Sequence, residues 1–144
     1  MLSFLIFLVS VFSLFAGPVA GVSSLHHGIK VENAYVRTAA EGMMSAAYFK
    51  LVNSSDMSDT LYDVRADFTD MAMLHETFRN NGMVGMKEVD FVVVPARDSI
   101  EFKPGGYHVM LMDVKEDLKA DSKVKLELLF RHGGTVKVNA DVKE

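Results

Sequence analysis

Short apolar segments recur about every ten positions along the chain, and Gly, Asn, Asp, Ser or Pro separate them. Each segment is rich in β-branched and aromatic residues, and several alternate polar with apolar positions as half-buried strands do. We predict ten strands, at residues 29–38, 45–52, 60–66, 71–78, 83–89, 91–94, 99–102, 107–112, 123–130 and 135–142. The connections are too short for helical crossovers, so antiparallel pairing is expected. The pattern predicts an all-β sandwich or barrel, with one helical turn at 114–118 as the only helical candidate.

The first residues have a different character. Residues 2–16 carry no charge and are dominated by Leu, Phe, Ile and Val, and small residues follow up to Ser24. This predicts a secretory signal peptide at 1–23, cleaved somewhere between 17 and 24, followed by one domain at 24–144. The run is shorter than the roughly 20 residues that span a bilayer, but no Lys or Arg precedes it. An uncleaved anchor is therefore the weaker alternative, and no stable membrane insertion is expected after cleavage.

Composition narrows the function classes. The chain is 49% hydrophobic and 24% charged with a net charge of −4, so it is a folded protein without the basic surface that binds nucleic acid. It has no cysteine. An exported domain must then be held by its core alone, and blue-copper electron transfer, thiol redox chemistry and Cys-His catalysis are excluded.

Four residues form the candidate metal site. His75, ten residues, Met86, twenty-one residues and then His108-x-Met110 combine imidazole with thioether. Neutral nitrogen and sulfur ligands without a thiolate suit Cu(I). All nine methionines beyond the initiator lie between Met43 and Met112, the stretch that holds these histidines. We therefore predict one Cu(I) per chain.

Strand geometry supports this grouping. His108 and Met110 are two apart in a predicted strand, so they share a face. His75 and Met86 flank the turn 80–82. A two-residue loop at 80–81 would place them directly opposite, a loop at 81–82 would place them diagonally on one face, and a three-residue loop would separate them unless a bulge intervened. The turn type decides between these alternatives.

Each of these residues also has a structural interpretation, since methionine fills cores and strand histidines are commonly hydrogen-bonded. Met73 shares the parity of His75 and is a further candidate ligand. The rival functions are a metal-dependent enzyme, for which Glu76 faces the wrong way, and an exported interaction sandwich with a Met-rich docking face. We interpret four other methionines as loop or packing residues: Met43, Met44, Met57 and Met83.

The spacing resembles the signature of the periplasmic copper(I) chaperones of the PCu(A)C family. The surrounding sequence is also similar, at Met-Leu-His-Glu-Thr (73–77), Pro-Gly-Gly-Tyr-His-Val-Met-Leu-Met (104–112) and Ala-Ala-Tyr (46–48), and the likeness runs from 29 to 142. The resemblance implies a cupredoxin-like, Greek-key antiparallel β-sandwich with an exposed copper site. It also implies a non-enzymatic role, in which Cu(I) received in the periplasm passes toward the binuclear copper centre of cytochrome c oxidase subunit II, together with Sco-type thiol proteins. A monomer is expected.

Three further features are peripheral. A mature start at Ser24 or Leu25 would place His26 or His27 third and offer a Cu(II) site with the new amine. His132 is interpreted as a turn residue. The carboxylates near the site are interpreted as solvated surface groups that leave copper affinity unchanged: Glu76, Glu88 and Asp113.

Overall fold

Ten strands and no helix make up the secondary structure of residues 28–144, the part of the chain that the computed structural model describes. The strands are β1 (Ile29–Arg37), β2 (Ser45–Asn53), β3 (Asp59–Arg65), β4 (Thr69–Asn80), β5 (Met83–Glu88), β6 (Val92–Val94), β7 (Asp98–Phe102), β8 (Tyr107–Val114), β9 (Lys123–Phe130) and β10 (Gly134–Lys143). Each overlaps one predicted strand, so the all-β class is confirmed. The predicted signal peptide and the His26/His27 hypothesis lie outside the described residues.

The helical turn predicted at 114–118 is wrong. Val114 is the last residue of β8, and the chain then bends until Leu118 bridges Ala39. The two residues exchange backbone hydrogen bonds, from Leu118 N to Ala39 O at 2.8 Å and from Ala39 N to Leu118 O at 3.3 Å. The N–H and C=O groups of Leu118 are thus paired with Ala39, so they are not available for the hydrogen bonds within a helical turn.

The strands follow one hydrogen-bonded order, β5-β4-β8-β7-β2-β1-β10-β9-β3-β6, with an additional pairing of β8 to β2. Most pairings are antiparallel, as predicted, but β1 pairs with β10 in parallel and β7 meets β8 in parallel at Phe102 and Tyr107. A parallel pair needs a long connection, and nearly the whole domain lies between β1 and β10. The expectation of antiparallel pairing came from short connections and did not apply to β1 and β10, which are far apart in sequence. The parallel contact of the consecutive strands β7 and β8 is limited to the single pair Phe102–Tyr107.

One hydrophobic core holds these strands together. Every strand except β5 contributes buried side chains to it, and Phe49 and Phe102 stack within it with ring centroids 4.5 Å apart. The strand β5 is instead mostly exposed, so the β4–β5 hairpin extends beyond the core. In β4 and β8, Leu74 and Val109 pair and point into the core. The residues that alternate with them therefore lie on the outer face of the sheet, where the candidate site is found.

Residues 28–144 contain no helix that is long and apolar enough to cross a membrane.

Candidate metal centre

The two histidines of the candidate site form a cross-strand pair. His75 of β4 lies directly opposite His108 of β8, and their ring centroids are 5.6 Å apart with a 59° angle between the ring planes. The antiparallel register of seven residue pairs between these strands, which runs from Thr69–Val114 to Glu76–Tyr107, fixes this juxtaposition. Two imidazoles at this separation can direct nitrogen lone pairs at one ion.

His75 has two ring nitrogens that are buried and have no hydrogen-bond partner. Buried polar atoms without partners are costly and rare in folded proteins. Burial, and then the neighbouring His108, lower the pKa of His75 below 6.5, while Glu88 acts in the opposite direction. The neutral imidazole is thus favoured, and this is the form that coordinates a metal. The neutral ring and the unpaired nitrogens of His75 are suited to metal coordination.

His108 is 6% exposed and has one nitrogen already engaged. Its Nδ1 lies 3.2 Å from the carbonyl oxygen of Gly106. A carbonyl only accepts, so a neutral ring in this position donates from Nδ1 and keeps its lone pair on Nε2. Hydrogen bonds of this kind orient metal-ligating histidines and set their tautomer.

The hairpin turn places Met86 on the same face. Asn81 and Gly82 both have positive φ, 49° and 79°, and Asn80 pairs with Met83. Asn81 and Gly82 therefore form a two-residue type I′ turn, and Asn-Gly is the sequence most favoured in such turns. Met86 consequently lies opposite Thr77, two residues beyond His75. Of the predicted registers, the diagonal one is present, and it keeps the Met86 thioether on the histidine face.

The fourth residue, Met110, also lies on this face. It is half-buried, and it sits between Met73 of β4 and Ala46 of β2 as its direct neighbours in the sheet. Met86, at the exposed hairpin, is 61% exposed. The structure therefore brings His75, His108, Met110 and Met86 to one face, with Met73 in the same group as the further candidate.

The carboxylates near the site are arranged differently from one another. Glu88 lies directly opposite His75 on the outer face, whereas Glu76 is on the other face of β4 and forms an ion pair with Lys87 at 3.4 Å. Within residues 28–144, no three His, Cys, Asp or Glu side chains cluster closely enough to hold a metal. Glu88 adds one carboxylate beside the imidazole and thioether donors, which is short of the oxygen-rich set that hard cations require.

The residues interpreted as loop or packing residues are all exposed. Met43, Met44 and Met57 lie in loops and Met83 begins β5, with exposures of 60%, 60%, 65% and 70%. The loop interpretation is confirmed for Met43, Met44 and Met57, whereas Met83 is an exposed strand residue and neither a loop nor a packing residue. His132 lies in the exposed turn before β10, as predicted, and its backbone N–H donates to Asp59 Oδ1 at 3.0 Å.

Comparison with known proteins assigns this fold to a family. The model of the LpqE-like family matches residues 29–142. The chain belongs to the LpqE-like family. It is 32% identical over 118 residues to Lxx21020 of Leifsonia xyli subsp. xyli, a candidate lipoprotein, covering 81% of this chain and 70% of that protein. It is 31% identical over 99 residues to RP573 of Rickettsia prowazekii, covering 68% of this chain and 55% of that protein.

Solved structures similar to this LpqE-like chain include copper-bound proteins. The copper-bound PCuAC domain from PmoF2 superposes with a TM-score of 0.69 at 26% identity, covering 81% of this chain and 92% of that domain. CuI-DR1885 from Deinococcus radiodurans gives a TM-score of 0.63 at 32% identity, covering 84% of this chain and 83% of that protein. The likeness confirms the predicted cupredoxin-like fold.

Proposed function

We propose that this LpqE-like chain binds one Cu(I) through His75, Met86, His108 and Met110 and carries it as a copper chaperone. The observation that supports this most strongly is the paired His75 and His108, because the nitrogens of His75 are buried without partners on a face lined by thioethers. The proteins of similar structure that contain copper, the PmoF2 domain and CuI-DR1885, support the choice of metal.

The donor set suits a carrier rather than a permanent cofactor site. Two neutral imidazoles and two neutral thioethers leave the bound ion with its charge of +1, and no thiolate holds it. Met86 is 61% exposed at the edge of the sheet, so an acceptor's sulfur can approach from the hairpin side. Copper then leaves by associative ligand exchange: an acceptor ligand binds as each protein ligand departs. The protein undergoes no net chemistry, and the function is not enzymatic.

We extend the proposal to an acceptor and a compartment, and the family resemblance supports this extension. The candidate lipoprotein among the relatives supports an exported protein, and we assign it to the periplasm. In an oxidising compartment methionine avoids the disulfide formation that would disable a two-cysteine site. We assign the binuclear copper centre of cytochrome c oxidase subunit II as the acceptor, with a Sco-type thiol protein acting alongside. Anaerobic mixing of Cu(I)-loaded protein with the soluble domain of that subunit should transfer copper, whereas persistent retention by the donor would contradict this assignment.

Copper binding itself is tested by anaerobic titration against a chromogenic Cu(I) chelator. The wild-type protein should withdraw one tightly bound equivalent, and the double variant His108→Ala, Met110→Leu should not. His132→Ala is the matched control, because that histidine lies in a turn outside the site and should leave binding intact. Failure of the wild-type protein to compete for Cu(I) would refute the proposal.

The interaction sandwich is the second candidate function, and the exposed thioethers favour it. Met71 and Met86, on the outer face of the β4–β5 hairpin, are 55% and 61% exposed, which leaves a large apolar surface open to solvent on this face. If the protein binds no metal, this Met-rich face becomes the leading candidate for docking a partner.

A further inference from the structure

Three methionines come from neighbouring segments at one end of the outer face. Met71 of β4 is directly opposite Met112 of β8. On the other side of Met112, the regular pairing of β2 with β8 ends at Ser45–Leu111, and Met44 directly precedes Ser45. We call Met44, Met71 and Met112 the methionine row.

Backbone hydrogen bonds hold Met44 in this position although it precedes β2. Val114 N donates to Met43 O at 3.0 Å, and Gly42 N donates to Val114 O at 2.7 Å. The segment before β2 therefore stays bonded to the end of β8, past the point where the strand ends. The register shifts by one residue at Asp113, whose φ is 52°. Met44 lies between these bonds and the regular pairing of Ser45, so its backbone stays close to β8 at Met112 and Asp113.

The other two members are also fixed from the backbone side. The hydroxyl of Thr69 donates to the carbonyl oxygen of Met112 and lies 3.2 Å from that of Met71. Thr69 is 6% exposed, so this link is sheltered from water. These bonds hold the backbones of Met71 and Met112 in place relative to each other.

Core packing does not explain the row. Met44 is 60% exposed and Met71 is 55% exposed, while Met112 between them is half-buried. Directly opposite residues in a sheet have Cβ atoms about 4.5–5.5 Å apart, within which long, flexible methionine side chains can converge their sulfurs. Three neutral thioethers are ligands for a soft monovalent cation.

We propose that the methionine row is a second, weaker site for a soft monovalent cation, Cu(I) or its redox-inert analogue Ag(I). It lacks imidazole, so its affinity is lower than that of the proposed chaperone site. Met71 and His75 are four residues apart, about 13 Å along the strand, and the Met73–Met110 pair lies between them. Thioethers thus continue along the face from the row to the histidines, a route by which an ion captured at the row reaches the tighter site.

The row shares no residue with the proposed chaperone site, so the two are measured separately. We would titrate the whole protein, with its methionine methyl groups labelled with ¹³C, with Ag(I) and follow each methyl resonance by NMR. The first equivalent should shift the methyls of Met86 and Met110. Further Ag(I) should shift those of Met44, Met71 and Met112, at a concentration at least tenfold higher.

Variants and internal controls make the result decisive. The triple variant Met44→Leu, Met71→Leu, Met112→Leu should lose the second phase and keep the first, and the single variant Met71→Leu, at an exposed position, should weaken the second phase even if the triple variant does not fold. Met57, 65% exposed in the loop after β2, is the matched control and should not shift. Row methyls that stay unshifted, or that shift no more than Met57, would overturn the proposal. If the wild-type protein showed shifts of the row methyls but none of Met86 and Met110, the chaperone site would be refuted and the proposal for the methionine row would be retained.

Discussion

His75 and His108 face each other across two hydrogen-bonded strands, with ring centroids 5.6 Å apart. The two rings differ in what holds them, because His108 has its Nδ1 against Gly106 O whereas neither nitrogen of His75 has a partner. The hydrogen bond to Gly106 therefore orients His108 before any metal binds, whereas His75 has no hydrogen bond that orients its ring. Metal binding would therefore give His75 the partner that its buried nitrogens lack.

Replacing Met86 by leucine should weaken Cu(I) binding at least tenfold while leaving the fold unchanged. Leucine keeps the approximate volume and removes the sulfur. Because Met86 is 61% exposed, the free energy of unfolding should change by less than about 0.5 kcal/mol. Chelator competition and urea denaturation of the same preparation measure the two effects. Met57→Leu, at a similarly exposed but remote position, should change neither; a large loss of stability with intact binding would show that Met86 packs rather than binds.

Stability of the metal-free protein should fall as the pH drops below about 6.5. Burial, and then His108, lower the pKa of His75 in the folded protein, so the unfolded chain takes up this proton at a higher pH. Linkage then makes the free energy of unfolding decrease between the two pKa values and level off once folded His75 is protonated. Denaturation at a series of pH values tests this, and His75→Gln should reduce the slope. An identical slope in the variant would contradict the account.

The neutral His108 ring should carry its proton on Nδ1. The carbonyl of Gly106, 3.2 Å away, accepts this hydrogen bond. Long-range ¹H–¹⁵N correlation spectra of the metal-free protein at neutral pH distinguish the two tautomers directly. A proton on Nε2 and none on Nδ1 would contradict the account, because the lone pair of Nε2 would then not be available to the metal.

Alanine at Gly82 should destabilise the hairpin by about 1–2 kcal/mol. Gly82 has φ of 79° with open space around it, so the cost comes from the backbone conformation and not from a clash. Asn81→Gly is the matched change in the same turn, where φ is 49°, and it should be close to neutral. Thermal unfolding compares them. Equal effects of the two substitutions would argue against a type I′ turn.

Most of the fold could be predicted from the sequence because each strand carries its own local signal. The apolar alternation and the turn residues placed all ten strands to within a few residues. The parallel pairing of β1 with β10 has no such signal, since it depends on how distant strands meet after the domain closes. The bend after Val114 likewise depends on a bridge between Leu118 and Ala39, seventy-nine positions apart in sequence.

For the candidate site, the sequence predicted the grouping of residues but left the register open. His108 and Met110 share a face by strand parity alone. The position of Met86 depended on whether the two-residue loop is 80–81 or 81–82. Asn-Gly at 81–82 is the stronger turn signal. The position of Met44 close to β8 could not be predicted, because it follows from the pairing of β2 with β8 and from the bond of Val114 N to Met43 O.

X-ray absorption spectroscopy at the copper edge, with one equivalent of Cu(I) bound, tests the central claim most directly. The account predicts a site of two nitrogen and two sulfur neighbours, with the sulfur contribution reduced in Met86→Leu and the nitrogen contribution reduced in His75→Gln. A copper environment without sulfur, or one that neither substitution alters, would contradict the assignment of His75, Met86, His108 and Met110 as the copper ligands.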